Sequence, residues 1–141
     1  MKTVDELASA GPLPAAAGIS VLVVDDETAV RRFAARVLER EGYAVVEARD
    51  GIEALEVLSN GALAIEVVVS DIVMPRLNGV ELMQTLAASH PDLPVILMSG
   101  YATDALAEIG IAAPCAIIPK PFPSERLLEE VRRCSGQRDR T

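Results

Sequence analysis

The sequence predicts an α/β fold built on one parallel sheet, and three observations support this prediction. The chain has 141 residues, which is the length of one ordinary domain. Five short runs rich in Val, Leu and Ile alternate with segments whose apolar residues recur at helical spacing. The runs are almost continuously apolar, which is typical of parallel strands covered by helices on both faces. We therefore expect a doubly wound, five-stranded parallel sheet, and we take 2-1-3-4-5, an order common in this architecture, as its strand order.

Each predicted strand is a short β-rich run that ends where turn residues or a helical pattern begin. In chain order, the predicted strands are Ile19–Val24, Tyr43–Glu47, Ile65–Ser70, Val95–Met98 and Ala116–Ile118.

The predicted helices follow the strands, and turn or cap residues mark their limits. The first helix ends at Gly42, and the second lies between the turns at Asp50–Gly51 and Asn60–Gly61. The third helix follows the turn and cap signal at Asn78–Gly79. Residues Thr103–Ile109 predict a short helix before the fifth strand, and a last helix follows that strand.

Composition divides the chain into three parts. Residues 1–18 are rich in Ala, Pro and Gly, which indicates a flexible N-terminal tail or linker. Residues 19–134 contain all the strand and helix patterns and are expected to form the folded domain. Residues 135–141 are polar and predict a C-terminal tail.

Charge and cysteine content exclude several classes of function. The formal net charge is −8, which disfavours binding to a phosphate backbone. The longest apolar runs fall far below the roughly 20 residues of a membrane-spanning helix. Cys115 and Cys134 have no CxxC spacing and no neighbouring His, so we expect reduced thiols in a cytoplasmic protein, without zinc. Arg31 and Glu47 are interpreted as solvated charges.

Polar residues stand at the carboxyl ends of four predicted strands, where doubly wound sheets bind their ligands. In chain order they are Asp25, Asp26 and Glu27, then Asp71, then Ser99, then Lys120. In the predicted order the first and third strands are neighbours, so their carboxylates meet. Like charges so close are unfavourable unless a cation lies among them, and Mg²⁺ is a hard cation that takes oxygen ligands.

The same positions suit chemistry at phosphorus. Asp71 would act as a carboxylate nucleophile and form an acyl phosphate. Ser99 would donate a hydrogen bond to the incoming phosphoryl group, and Lys120 would pair with it as a compact positive charge. Eleven of the thirteen basic residues are Arg, so a Lys at position 120 itself points to this role.

Four segments resemble the receiver domain of two-component response regulators. In the order of that family they are VLVVDDE at 21–27, VSDIVMP at 69–75, LMSG at 97–100 and KPF at 120–122. The likeness runs from about Ile19 to Cys134. It implies a flavodoxin-like and CheY-like (βα)5 fold and a cytoplasmic phosphorelay protein.

The resemblance implies a role for each residue at the strand ends. Asp71 would accept phosphate from a histidine kinase or a histidine phosphotransfer domain. Ser99 would follow the phosphoryl group as a conformational switch, Lys120 would bridge to it, and the Lys120–Pro121 peptide would be cis. The implied Mg²⁺ ligands are Asp25, Asp26, Asp71 and the backbone carbonyl of Val73.

The resemblance also marks three modulating positions and a docking surface. Receivers usually have an aromatic ring at the position of Ile117, so the aromatic half of the switch is missing. Val73 and Tyr101 would flank the path of the hydrolytic water, and neither positions water well, which predicts slow self-dephosphorylation. The kinase would dock on the first helix near residues 29–30 and on the 121–122 loop.

Two other functions occur on a similar fold, and the residues of this chain disfavour both. A Mg²⁺-dependent phosphatase of the haloacid dehalogenase type also uses an Asp nucleophile, but it has a second Asp two residues later, where this chain has Val73. A flavodoxin-like cofactor binder would need a phosphate loop rich in Ser, Thr or Gly, and here three acidic residues at 25–27 would repel a phosphate. We therefore expect a phosphorylation-activated switch rather than an enzyme that turns over a substrate.

The expected partners are the phosphodonor and a downstream protein target. No DNA-binding segment follows the last helix in this sequence, so output is expected through protein contacts, and homodimer formation stays open. The chain is either a complete single-domain regulator or the C-terminal receiver of a hybrid histidine kinase.

Overall fold

The structure is a computed structural model that describes residues 19–60, 64–100 and 114–136. In these ranges, strands β1 to β5 span Ser20–Val24, Ala44–Ala48, Ile65–Asp71, Val95–Ser99 and Ala116–Pro119. Helices α1 to α4 span Thr28–Arg40, Gly51–Asn60, Gly79–Ser89 and Ser124–Cys134. The five strands form one parallel sheet in the order β2-β1-β3-β4-β5. The predicted fold class and strand order are confirmed.

Two apolar layers cover the two faces of the sheet. Successive side chains of a strand point to opposite faces, so Val21 and Val23 pack with α1 and α4, whereas Leu22 and Val24 pack with α2 and α3. All four of these β1 residues are fully buried. The same alternation explains why the strand sequences are apolar at nearly every position instead of every second one.

Strands β3, β4 and β5 each end one residue later than the sequence predicted, and the extension of β3 and β4 matters for the site. Asp71 and Ser99 are the last residues of β3 and β4, where the sequence placed them just after the strands. The backbone pairing continues because Asp71 is in register with Met98, and the Ile72 N–H donates to the Met98 carbonyl at 3.1 Å. Both side chains are thereby held on rigid backbone.

The predicted cap at Asn78 is confirmed. The Asn78 side chain accepts a hydrogen bond from the Glu81 N–H at 2.8 Å, and the Glu81 carboxylate accepts one from the Asn78 N–H at 3.0 Å. Gly79 then starts α3 directly against β3, where a Cβ at this position would overlap the backbone carbonyl of Asp71. The helix therefore approaches β3 as closely as only glycine permits.

The prediction of two reduced cysteines is wrong for this structure. Cys115 and Cys134 form a disulfide, with their Cα atoms 6.0 Å apart. The 19-residue separation hides this proximity, because α4 follows β5 and returns along the sheet. The end of α4 therefore lies beside the start of β5.

Some predictions fall outside the described residues: the Thr103–Ile109 helix, Tyr101, the tail at 1–18 and the last part of the tail at 137–141. Among the described residues, no helix is long and apolar enough to cross a membrane.

Candidate functional site

The site lies at the carboxyl ends of β1, β3, β4 and β5. These four strands are neighbours in the sheet, so Asp25 just after β1, Asp71 at the end of β3, Ser99 at the end of β4 and Lys120 just after β5 meet at one edge. The predicted convergence of these side chains follows from the strand order.

Asp25 is fully buried and has several partners. One carboxylate oxygen accepts the Glu27 N–H at 2.9 Å, and the other accepts the Lys120 ammonium at 2.9 Å. The Asp25 N–H donates to the Ala48 carbonyl at 3.1 Å. A buried carboxylate is tolerated only with such hydrogen bonds and a positive partner. Its position is therefore fixed from several directions.

Lys120 bridges the two buried carboxylates. Its Nζ lies 2.9 Å from Asp25 Oδ2 and 3.1 Å from Asp71 Oδ1, and its side chain is 15% exposed. Its backbone N–H donates to the Ser99 carbonyl at 2.8 Å, which ties the β5 end to the β4 end. The predicted cis peptide between Lys120 and Pro121 is confirmed.

One ammonium faces two buried carboxylates, and the pKa values respond to this imbalance. Burial and the neighbouring Asp25 charge raise the pKa of Asp71 above its ordinary value, and Lys120 opposes them only in part. Burial lowers the pKa of Lys120, but its hydrogen bonds to Asp25 and Asp71 outweigh burial, so that pKa is raised. The site therefore keeps the lysine charged and holds excess negative charge near Asp71.

The excess negative charge is placed where a cation would fit. Asp25, Asp26 and Asp71 each offer a carboxylate oxygen, and these atoms lie within 4.8 Å of one another. All three donors are hard oxygen ligands, and Asp26 is exposed to solvent. This donor set matches a small divalent ion that keeps part of its water shell.

The remaining predicted site residues lie around this cluster. Ser99 is 5% exposed at the end of β4. Val73 is 58% exposed and lies on the loop two residues after Asp71. Ile117 is partly buried in β5 opposite Leu97, where it packs against the apolar layer of α2 and α3. Tyr101 lies outside the described residues.

Arg31 and Glu47 brace the end of β1, and their interpretation as solvated charges is wrong. The Arg31 side chain is only 11% exposed, and its Nε donates to Glu47 Oε1 at 2.9 Å. Its guanidinium also donates to the Asp25 carbonyl at 3.0 Å. The arginine thus joins the ends of β1 and β2 behind the carboxylate cluster. The helical spacing places Arg31 among other arginines of α1, so it gave no signal of this contact.

A second brace, which the sequence does not indicate, holds the loop after Asp71. Asp50 is buried, and Arg76 donates to its two oxygens at 2.8 Å and 3.0 Å. The Gly51 N–H donates to the Leu77 carbonyl at 3.0 Å. Arg76 has φ of 67°, a left-handed conformation that is uncommon for arginine. One ion pair and one backbone hydrogen bond therefore hold the loop after β3 against the start of α2.

Asp50 also caps α2. Its Oδ1 accepts the Glu53 N–H at 2.9 Å. Burial alone would raise the pKa of Asp50, but the Glu53 hydrogen bond and the Arg76 guanidinium outweigh it and lower that pKa. The sequence signal for this cap is an Asp directly before a helical pattern, a signal that indicates a turn equally well.

Comparison with known families identifies the architecture. Residues 21–132 match the response regulator receiver domain. This chain belongs to that family. It is a receiver domain of two-component signal transduction, and the likeness noted from four sequence segments is confirmed.

Two curated relatives show the settings in which similar receiver domains occur. The chain is 40% identical over 121 residues to the sensor kinase CckA of Brucella abortus (strain 2308), a match that covers 85% of this chain and 13% of that protein. It is 39% identical over 117 residues to the response regulator MprA of Mycobacterium sp. (strain KMS), covering 81% of this chain and 49% of that protein. The receiver domain thus spans about half or much less of the length of these relatives.

Solved structures share the fold. A receiver domain protein from Clostridium thermocellum superposes with a TM-score of 0.77 at 23% identity, covering 86% of this chain and 97% of that one. The response regulator TrrA from Thermotoga maritima, solved in complex with Mg²⁺ and BeF, superposes with a TM-score of 0.74 at 29% identity, covering 82% of this chain and 98% of that one.

Proposed function

We propose that this receiver domain accepts a phosphoryl group on Asp71 from a phosphohistidine of a histidine kinase or histidine phosphotransfer domain, with Mg²⁺ as the metal. The carboxylate cluster with its bridging lysine is the observation that supports the proposal. Asp71 is 7% exposed, it has Lys120 at 3.1 Å, and it shares the cluster with Asp25 and Asp26. The family of the chain, which works as a switch, agrees with this role.

The proposed transfer needs a nucleophile and a way to offset negative charge. An Asp71 oxygen attacks phosphorus, the bond from phosphorus to the histidine nitrogen breaks, and the electron pair returns to the imidazole. Asp25, Asp26, Asp71 and the Val73 carbonyl would hold Mg²⁺, which would offset the charge of the phosphoryl oxygens. Lys120 lies within reach of the same carboxylate and pairs with those oxygens as a second positive charge.

The phosphorylated form acts as a switch through its nearest side chains. The Lys120 N–H donates to the Ser99 carbonyl, and this hydrogen bond connects the ends of β4 and β5. The Ser99 and Lys120 side chains therefore respond together to the phosphoryl group. With Ile117 in place of an aromatic residue, the response does not include the inward turn of a ring. Val73 and Tyr101 are poor at positioning water, so self-dephosphorylation is slow. The domain acts as a switch and turns over no separate substrate.

The phosphodonor docks on α1 and the loop after Lys120. Phe33 is 44% exposed on α1, and its ring centroid lies 5.9 Å from that of the buried Phe122. An exposed aromatic ring beside the lysine loop gives an apolar anchor on an otherwise charged surface. The domain then signals to a downstream protein target. It does so as a monomer or as a homodimer.

We further propose a cytoplasmic location, with residues 19–134 as the receiver domain between an N-terminal tail or linker at 1–18 and a C-terminal tail at 135–141. One observation supports a second arrangement, in which the domain is the C-terminal receiver of a hybrid histidine kinase. This observation is the similarity to the sensor kinase CckA.

Incubation with acetyl phosphate and Mg²⁺ tests the proposed function, with intact mass as the readout. The expected result is the mass of one added phosphoryl group, lost when Mg²⁺ is chelated and absent from Asp71→Asn. Asp92→Asn is the matched control, because this exposed carboxylate lies outside the cluster and the variant should still be labelled. Absence of labelling under conditions that label a known receiver would refute the proposal.

A further inference from the structure

The two cysteines of the chain lie at the opposite end of β5 from Lys120. Cys115 directly precedes β5, Cys134 is the last residue of α4, and the two are joined in the structure. The sequence contains no other cysteine. From these positions, we infer that Cys115 and Cys134 form a reversible redox pair, opened and closed by thiol–disulfide exchange, that ties the end of α4 to the edge strand.

The fold holds the pair together whether or not the bond is present. Leu127 and Val131 of α4 are fully buried against the sheet, and Arg133 donates to the Cys115 carbonyl at 2.8 Å. The Cys115 N–H donates to the Val95 carbonyl at 2.8 Å, which fixes the start of β5. The thiols therefore stay close after reduction, as reversible closure requires.

The pair is also open to an attacking thiolate. Both cysteines line a surface cleft of about 340 Å³, together with His90 and Asp92. Cys134 is 8% exposed, whereas Cys115 is only partly buried. Exchange depends on which sulfur is attacked and on access to it, and we assign the attack to Cys115, the more exposed of the two residues, with Cys134 leaving as the thiolate.

The exchange is balanced by two thiols of the reductant. The first forms a mixed disulfide with Cys115, and the second attacks that mixed disulfide and releases Cys115. Two electrons and two protons reduce the protein to its dithiol, and the reductant becomes a disulfide. Oxidation is the reverse reaction with a disulfide oxidant of the same class. In a reducing compartment, disulfides are usually transient and redox-sensing, so this use rests on the cytoplasmic location proposed above.

Purified protein equilibrated in mixtures of reduced and oxidised glutathione tests the inference, and phosphorylation is not needed. Samples are quenched with acid and alkylated with a maleimide polymer that shifts each free thiol on a gel. The expected result is a change from no free thiol to two as the mixture becomes more reducing, with unchanged far-ultraviolet circular dichroism. Persistence of the disulfide in excess reduced glutathione, absence of closure in oxidised glutathione, or loss of the fold on reduction would overturn it.

A second arm replaces glutathione with a thioredoxin-type protein at equal thiol concentration. Faster reduction there identifies a protein dithiol as the reductant, and slower reduction identifies the small thiol.

The attack order is tested with two single-cysteine variants. Cys134→Ser leaves Cys115 as the only thiol, and Cys115→Ser leaves Cys134. Mixed disulfide formation with oxidised glutathione should be about tenfold faster at Cys115 and equal for the two variants in urea. Equal rates in the folded state would contradict the assignment of Cys115.

Discussion

Lys120 pairs one positive charge with two carboxylates, so its replacement should change the charge balance of the site and the stability of the protein. We expect Lys120→Met to lower the free energy of unfolding by about 2–3 kcal/mol, because Asp25 loses a charged partner in a fully buried position. Saturating Mg²⁺ should restore part of this loss, since it supplies another positive charge to the same oxygens. Urea denaturation with and without Mg²⁺ measures both effects.

The matched control for Lys120→Met is Asp26→Asn. Asp26 is exposed and belongs to the same carboxylate cluster, so its replacement should leave the stability nearly unchanged and weaken Mg²⁺ binding. Equal stability losses for the two variants, or a loss in Lys120→Met that Mg²⁺ does not reduce, would contradict the view that the lysine compensates buried charge.

The raised pKa of Asp71 gives the metal site a pH dependence. A carboxyl with a raised pKa takes up its proton at a higher pH than an exposed aspartate, whose pKa is about 3.9. The proton neutralises a ligand, so Mg²⁺ affinity should fall with decreasing pH before ordinary aspartates titrate. Calorimetric titration at a series of pH values tests this, and an affinity that stays constant down to pH of about 4 would be inconsistent with it.

At the scale of the elements, the ion pair between Asp50 and Arg76 joins α2 to the loop after β3. Asp50→Ala removes both the pair and the α2 cap, and we expect it to cost about 2–3 kcal/mol. Asp50→Asn can still accept the Glu53 N–H and should cost less. Arg76→Ala removes the pair alone, and the difference between the variants in urea denaturation separates cap from pair.

The pH dependence of Arg76→Ala follows from the lowered pKa of Asp50. A carboxyl whose pKa is lowered by folding stabilises the fold at pH values above its unfolded pKa, and this contribution is lost as the pH falls through the folded pKa. The stability difference between wild type and Arg76→Ala should therefore be constant near neutral pH and shrink in acid. A difference that grows in acid would have the wrong sign.

Gly79 and Gly100 offer a matched test of the packing behind Asp71. A Cβ at Gly79 would overlap the Asp71 carbonyl, whereas a Cβ at Gly100 would meet no atom of the described residues within 4 Å. Gly79→Ala should displace the end of β3, lower the stability by about 1–3 kcal/mol and slow labelling by acetyl phosphate. Gly100→Ala should do neither, and similar behaviour of both variants would contradict the steric argument.

At the scale of the whole molecule, the proposed docking helix α1 and the helix α2 cover opposite faces of the sheet. Phe33 on α1 and Ile52 on α2 are exposed apolar residues on opposite faces. Phe33→Ser should slow phosphotransfer from a cognate kinase by about tenfold, since an interface anchor contributes more than 1 kcal/mol, without changing labelling by acetyl phosphate. Ile52→Ser is the control and should change neither rate; slowing by both variants would argue against docking on α1.

Much of the fold could be predicted from the sequence because its signals are local. Runs such as Val67–Val69 are apolar on both faces, a pattern typical of buried parallel strands. Asp25, Asp71 and Lys120 could be brought together without coordinates, because each stands at the end of a predicted strand. Strand order alone then places them at one edge of the sheet.

The braces and the disulfide could not be predicted, because they join residues that no local pattern relates. Asp50 and Arg76 lie 26 positions apart, and Arg76 has a left-handed backbone conformation that no local pattern predicts. Cys115 and Cys134 were assigned as reduced thiols from their spacing and expected compartment, whereas the close return of α4 toward β5 joins them. Such contacts depend on how elements pack, which spacing does not encode.

The cluster of three carboxylates and one ammonium at the strand ends is rich in negative charge before phosphorylation. Phosphorylation as proposed replaces a carboxylate by a group of about two negative charges, so the local charge changes by about one unit. The chain already has a formal charge of −8, and salt screens charges over about 8 Å in physiological solution. A partner on a distant face therefore experiences almost the same electrostatic potential in both states. What it recognises must be altered shape, passed from one contacting side chain to the next.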